Sequence, residues 1–497
     1  MVRSASRPRI SVYLVTAATI LVLFVTWQHL GLARRNAFSS EQFVPETVRL
    51  DQDFAHPPHI DVPSGSQVPR PPPDGDLPCK GLEGADDIFV VLKTGATEAR
   101  QKVPIHLETT LRCIPHFAIF SDLAEEIDGY QIQDALDEYS DEIKRSNVNF
   151  AFYQQLHELR RNGRDFAELG DSASYSAWNL DKWKFIPMME KALRQAPTQK
   201  WFYFMEADSY VVWSNLVRWV RVFDPDKPFY VGGQNWMMDR LFGHSGSGVL
   251  INRAAMEAAM AKRDENRGLW DKLTSGDLAG DLVVASLMDM IGVELTPAFP
   301  VLQGETPYSL DYTSSHWCYG VVSYHHMPAD WTKAMWDFEQ SWLRQGDNPP
   351  ILRHRDVFAN VVAPQINAEK LDWDNLSTDF EETPRRYDVQ GCREACASRP
   401  ECIQYLFSPG RCQTGAVIRL GGPGSERDPA NMGKDSVSGW VVQRVNAFIR
   451  QVERDGDGCA GLAWVGEKGR AVDEQGRGSS TAAGVVPGVG AAGTETR

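Results

Sequence analysis

The sequence predicts an α/β sandwich over residues 86–345. Three observations carry it. Apolar runs of strand length recur along this segment. Helical spacing of apolar positions separates them. The most apolar run, Trp201-Phe202-Tyr203-Phe204-Met205, leads into Glu206 and Asp208, two carboxylates one residue apart. Strands alternating with helices build an α/β sheet, whose ligands sit beyond the carboxyl ends of the strands.

Ile88-Phe89-Val90-Val91-Leu92 reads as a strand buried on both faces, ending at Lys93-Thr94-Gly95. Phe117-Ala118-Ile119-Phe120 is a second, ending at Ser121-Asp122. Residues 149–162 and 178–194 have helical spacing, and the 201–205 strand follows. Phe229-Tyr230-Val231 and Val249-Leu250-Ile251 are further short strands. Leu282 to Ile291 reads as a helix that Gly292 can stop.

The flanks differ in composition. Arg3, Arg7 and Arg9 precede an uncharged, mainly apolar run over 10–33, long enough to span a bilayer, and Arg34-Arg35 follow it. The expectation is a cytosolic tail over 1–9, an uncleaved anchor over 10–33 and a Pro-rich stem over 34–85. Residues 346–387 read as a linker. Cys392, Cys396, Cys402 and Cys412 then mark a small module over 388–450, with disulfides favoured over zinc because no C-x2-C knuckle is present. Gly, Ala, Ser and Thr dominate after Gly458, so 451–497 reads as a disordered tail. Asn375-Leu376-Ser377 is an acceptor sequon for N-glycans. Lys+Arg 51 against Asp+Glu 66 gives a net charge of −15 with no basic run, which argues against nucleic acid as partner.

Several constellations could carry chemistry. Glu206 and Asp208 at a strand end suit a hard divalent cation gripping a diphosphate. Two acids are too few ligands, and Ser323-Tyr324-His325-His326, after Val321-Val322, offers a later contributor. Gly243-His244-Ser245-Gly246-Ser247-Gly248 lets backbone approach a ligand closely, although it fits neither the Rossmann nor the Walker spacing. Asp277-Leu278-Ala279-Gly280-Asp281 opens a helix. Asp277 or Gly280 could cap it, or a carboxylate there could serve as general base. Lys182 or Lys184 could meet a phosphate, or Asp181 and Lys184 could form an ordinary helix-surface ion pair.

Taken in order, Lys93-Thr94-Gly95-Ala96-Thr97-Glu98, Phe120-Ser121-Asp122, Leu180-Asp181-Lys182, Glu206-Ala207-Asp208, His244 with Gly246-Ser247-Gly248, Gly280-Asp281, His316-Trp317-Cys318 and His325-His326 resemble the fungal branch of the fringe and core-1 β1,3-galactosyltransferase family. The resemblance covers about residues 86–345. It implies a GT-A nucleotide-sugar-binding fold with a mixed, mainly parallel sheet, and a type II Golgi membrane protein with its catalytic domain in the lumen. It implies a UDP-sugar donor, galactose first, Mn2+ as cofactor, a glycan or glycoprotein acceptor, and inversion at the anomeric carbon. By position, Asp208 is the principal metal ligand, and His325, in Val322-Ser323-Tyr324-His325, the later one. Glu206 assists through the ribose or a metal-bound water. Asp281 is the catalytic base. Lys93, Thr94, Gly95, Ser121, Asp122, Asp181, Lys182, Gly246 and Gly248 fall on the nucleotide-sugar site.

The cysteine-rich segment resembles a PAN/apple module, which implies Cys392–Cys412 and Cys396–Cys402 bridges. Cys79 and Cys113 are a third candidate pair, while Cys318 and Cys459 have no assigned partner. Ser245 stands where relatives usually carry Gly, and Leu278-Ala279 where many carry cysteines. Two other readings compete with galactosyl transfer: the same fold using UDP-N-acetylglucosamine or another UDP-sugar, and an inactive carbohydrate- or protein-binding membrane protein. The oligomeric state is left open.

Overall fold

A computed structural model describes residues 77–170, 173–346, 349–381, 387–424, 435–454, 459 and 461–478. The central strand is β1 (Ile88–Lys93), every residue of which is buried. It pairs in parallel with β2 (Phe117–Ser121) on one side and β5 (Trp201–Glu206) on the other. The sheet extends past β2 through β4 (Tyr130–Asp134) to the antiparallel edge strand β3 (Glu125–Ile127). Past β5 it continues through the antiparallel β10 (Val249–Asn252) to β7 (Tyr230–Gly232) and β11 (Leu295–Pro297), giving eight strands in the order β11-β7-β10-β5-β1-β2-β4-β3. The sheet is therefore mixed and mainly parallel.

Alternation along β1 and β5 divides the core. Ile88, Val90 and Leu92 with Trp201, Tyr203 and Met205 face one hydrophobic cluster, which includes residues of helices 213–219 and 329–343. Phe89, Val91, Phe202 and Phe204 face the other, under helices 150–161, 185–195, 253–265 and 280–290. A strand covered on both faces must be apolar at every position, which is why these runs show no polar alternation.

The single helix expected over 178–194 is two, Ala173–Asp181 and Phe185–Gln195. Between them the Trp183 and Lys184 amides bond back three residues, to Leu180 and Asp181, at 3.0 Å each. That tighter turn buries Trp183 in the core and Lys184 beside the end of β2. Helix 280–290 starts with Ala279 at its N-cap and no side-chain cap, so neither Asp277 nor Gly280 caps it. Asp277 instead takes a bidentate pair from Arg240, at 2.8 and 2.9 Å.

The fold class needs one correction. It included a membrane-crossing helix, but no helix among the described residues is long and apolar enough to cross a membrane. Residues 10–33 lie outside the described residues, as do 1–9 and the stem up to residue 76.

The segment read as a linker is built into the fold. Ile351, Leu352, Val357, Phe358 and Val362 are buried in the main core. Glu369–Leu371 and Phe380–Glu381 form the two edges of a five-stranded sheet whose inner strands are Val437–Trp440, Gln404–Ser408 and Arg411–Gly415. Helix Val389–Ser398 packs on that sheet through Cys392 and Cys396. The Cys392–Cys412, Cys396–Cys402 and Cys79–Cys113 bridges are present. Cys318, which had no assigned partner, bridges Cys459 across 141 residues. Part of the expected tail is thereby folded. Strands Trp464–Val465 and Ala471–Val472 pair, and Trp464 is 0% exposed against Gly320, where a Cβ would lie 2.3 Å from its ring.

Asn375, the acceptor of the sequence's one sequon, is 0% exposed. Its side-chain amide donates to the Tyr405 and Gly439 carbonyls at 3.1 and 3.3 Å, and its oxygen accepts from Ser377 at 2.7 Å. A glycan there would break these bonds and could not be housed. We expect protein expressed through a eukaryotic secretory pathway to show no N-glycan, so its intact mass should not change on peptide-N-glycosidase treatment.

Candidate active site

In-register pairing ends β1 and β5 side by side, with Lys93 opposite Glu206. Lys93 reaches Glu206 at 3.1 Å and pairs with Asp181. Burial opposes ionisation of both acids, but Lys93, joined by Lys184 at Asp181 and by His325 and Ser245 at Glu206, holds each below the ordinary carboxylate range. Lys184, 2% exposed, bonds Asp122 at 3.0 Å, Asp181 at 3.2 Å and the Thr94 carbonyl at 2.8 Å. The Ala96 amide donates to Asp122 at 2.7 Å, so the turn after β1 is fastened to the end of β2. Removing one partner of so buried a pair leaves the other charge unmatched, at a cost of about 3–5 kcal/mol.

Asp208 lies beyond β5, in the turn before β6 (Tyr210–Val211). β6 pairs with β12 (Ser323–Tyr324), and this short ladder delivers His325 and His326 to the same turn. The Met327 amide bonds the Asp208 carbonyl at 2.7 Å. His325 Nε2 stands 3.3 Å from Asp208 Oδ1, and Lys102 Nζ 3.2 Å from Oδ2. Burial pushes the Asp208 carboxyl up, yet His325 and Lys102 hold it well below its usual range. Side-chain ligand atoms of Asp208, His325 and His326 lie within 4.8 Å of one another. His325 Nδ1 is buried without a hydrogen-bond partner, and Asp208 Oδ1, also buried, has only the His325 Nε2 contact at 3.3 Å. Unsatisfied buried acceptors at such a convergence fit a divalent cation held by one carboxylate and two imidazoles.

The loop 243–248 closes over this turn. Ser209 bonds the Gly246 carbonyl at 2.8 Å, and Ser323 bonds that of Ser247. Gly246 is obligatory, because a Cβ there would sit 2.3 Å from the His325 ring. Gly248 has φ +94° and faces Tyr203, whose hydroxyl would be 2.1 Å from a Cβ. Ser245 links two acids: its hydroxyl donates to Glu206 at 2.5 Å and its amide to Asp281 at 3.1 Å. Asp281, 8% exposed, has its pKa raised by burial, and His244 and Lys93 offset only part of that.

Of the residues expected from sequence, Lys93, Thr94, Asp122, Asp181 and Glu206 converge directly, and Ser245 connects Glu206 to Asp281. Ser121 is buried beside Asp122, its hydroxyl 3.3 Å from that carboxylate. Gly95 leaves ordinary room, with Asp122 and Lys184 each 3.8 Å from where a Cβ would be. Lys182 does not join the cluster; it donates to the Ser275 and Asp277 carbonyls at 3.1 and 2.9 Å, and Lys184 reaches the acids instead. Glu206 is not one of the three grouped ligands. His326 and Lys102 are additions. The His-His doublet was the available signal for the first, and only the contact with Asp208 reveals the second.

Compared with known proteins, the chain matches no family model and has no match among curated proteins.

Proposed function

We propose that this protein is an inverting, metal-dependent glycosyltransferase that moves galactose from UDP-galactose to a hydroxyl of a glycan in β1,3 linkage, with Mn2+ as cofactor. The observation that carries the reading is the grouping of Asp208, His325 and His326 beyond the carboxyl ends of β1 and β5, with Asp281 tied to the same loop. Asp208, His325 and His326 would hold the cation, which supplies positive charge against a diphosphate leaving group. Asp281 takes the proton from the acceptor hydroxyl. The oxygen then bonds the anomeric carbon from the face opposite the leaving group, and the sugar–phosphate bond breaks with its electron pair on UDP. A raised pKa suits a carboxylate to this work. Four disulfides accord with an oxidising compartment.

Titration calorimetry of UDP with and without Mn2+ tests the reading. The expected result is binding that requires the metal. Binding indifferent to Mn2+, or none at all, would sink the assignment.

A further inference from the structure

Beside the metal-ligand triad opens a cleft of about 800 Å3. Ligand sites commonly run from roughly 300 to 1,000 Å3, so this one has room for more than one sugar ring. His326 stands on its rim and also belongs to the triad. A Cβ at Gly304, next to the cleft residues Gln303 and Glu305, would lie 3.2 Å from Ser247 Oγ and 3.9 Å from His244 Nδ1. The cleft therefore borders the loop that carries Ser245 to Asp281.

Its two walls come from different parts of the chain. One is the segment 299–331, with Phe299, Tyr308 and Trp331. The other includes Leu376, Arg419 and Gly421–Pro423, from the region of the C-terminal sheet. These walls are sewn together. The Leu420 and Gly421 amides both donate to the Tyr308 carbonyl, at 3.0 and 2.8 Å. Tyr312 forms a bridge with Ile418, and Arg419 pairs with Asp311. Within the second wall glycine is required at 421, since φ is +75° and a Cβ would collide with the Asp374 carbonyl.

The lining chemistry selects a class of ligand. Trp331 and Tyr308 form an edge-to-face pair at 4.3 Å, and Gln365 tethers the Tyr308 hydroxyl at 3.2 Å. Such fixed aromatic surfaces suit the apolar faces of pyranose rings. His316 Nε2 is buried, lacks a partner, and belongs to a residue lining the cleft. Its Nδ1 is already bonded to Thr313 at 2.9 Å. Burial lowers the His316 pKa to about 4, so the ring is neutral. Arg419 is matched by Asp311 and Asp379, and Glu305 adds negative charge. Among the described residues lining the cleft, no uncompensated Lys or Arg is left for an anionic ligand.

We propose that this cleft binds a neutral saccharide acceptor and that the C-terminal region supplies its far wall, an inference that rests on the glycosyltransferase reading for the word acceptor. The test uses the full chain and a panel of p-nitrophenyl glycosides of neutral hexoses and N-acetylhexosamines, with sialyllactose as the anionic comparison. Hydrogen exchange read by mass spectrometry should show protection of both 303–312 and 417–424 when a neutral glycoside binds. Trp331→Ala should weaken that binding about tenfold, in line with the loss of ~1–2 kcal/mol of ring contact, and Trp331→Phe should restore part of it. The inference is overturned if no panel member protects either segment, if protection spares 417–424, or if sialyllactose binds in preference. Calorimetry with UDP separates the two readings: neutral glycoside binding in the cleft without metal-dependent UDP binding removes the transferase and keeps the saccharide site.

Discussion

Replacing Asp208 with alanine is expected to abolish Mn2+-dependent UDP binding and to cut transfer on the order of a thousandfold, if the lost stabilisation is about 4 kcal/mol. The loss should be functional and not structural. Lys102, which pairs with Asp208, keeps a second partner in Glu98 at 2.7 Å. The Asp208 side chain is a quarter exposed, so solvent partly screens its pairs with His325 and Lys102, and losing both should cost on the order of 1–2 kcal/mol. His325 stays seated by its backbone bond to Glu305 at 3.2 Å and by packing on Gly246. Melting temperature should thus fall only slightly while metal-dependent UDP heat disappears. A variant that keeps the metal dependence with near-normal turnover would remove Asp208 from the site.

The strands that build this site were readable because their chemistry is local. A fully buried parallel strand has to be apolar throughout, and 88–92 and 201–205 are. The charged residues at their ends, Lys93 after the first and Glu206 and Asp208 after the second, stand out for the same reason. The Lys93–Glu206 contact follows from register, which no single strand reveals. Lys182 and Lys184 could not be separated by spacing, because a three-residue turn, not a continuous helix, decides which one meets Asp122. The C-terminal segments were harder still. Residues 369–371 and 464–465 are too short to announce themselves; the first becomes a strand only against 437–439, far along the chain, and the second only against the equally short 471–472. Trp464 sits in a stretch whose Gly-rich composition hides it, and its burial depends on a glycine at 320 and a bridge from Cys459 to Cys318.

The second large effect should come from Asp281→Asn. An amide cannot accept the hydroxyl proton, so transfer should fall by roughly 100- to 10,000-fold, the contribution of a positioned general base. UDP binding should survive, because Asp281 is not among the grouped ligands. The stability consequence has the opposite sign. Burial raises the Asp281 pKa above its unfolded value, so ionisation weakens folding as pH rises through the interval between the two. At neutral pH the asparagine variant, which carries no charge to bury and can still accept from the Ser245 amide, should melt at or above the wild-type temperature. The wild-type transfer rate should also rise with pH along an acid limb lying above the ~3.9 of a free aspartate. That limb should vanish from the residual activity of the variant. A folded variant with near-normal turnover, or one that keeps the limb, would show that Asp281 is not the base.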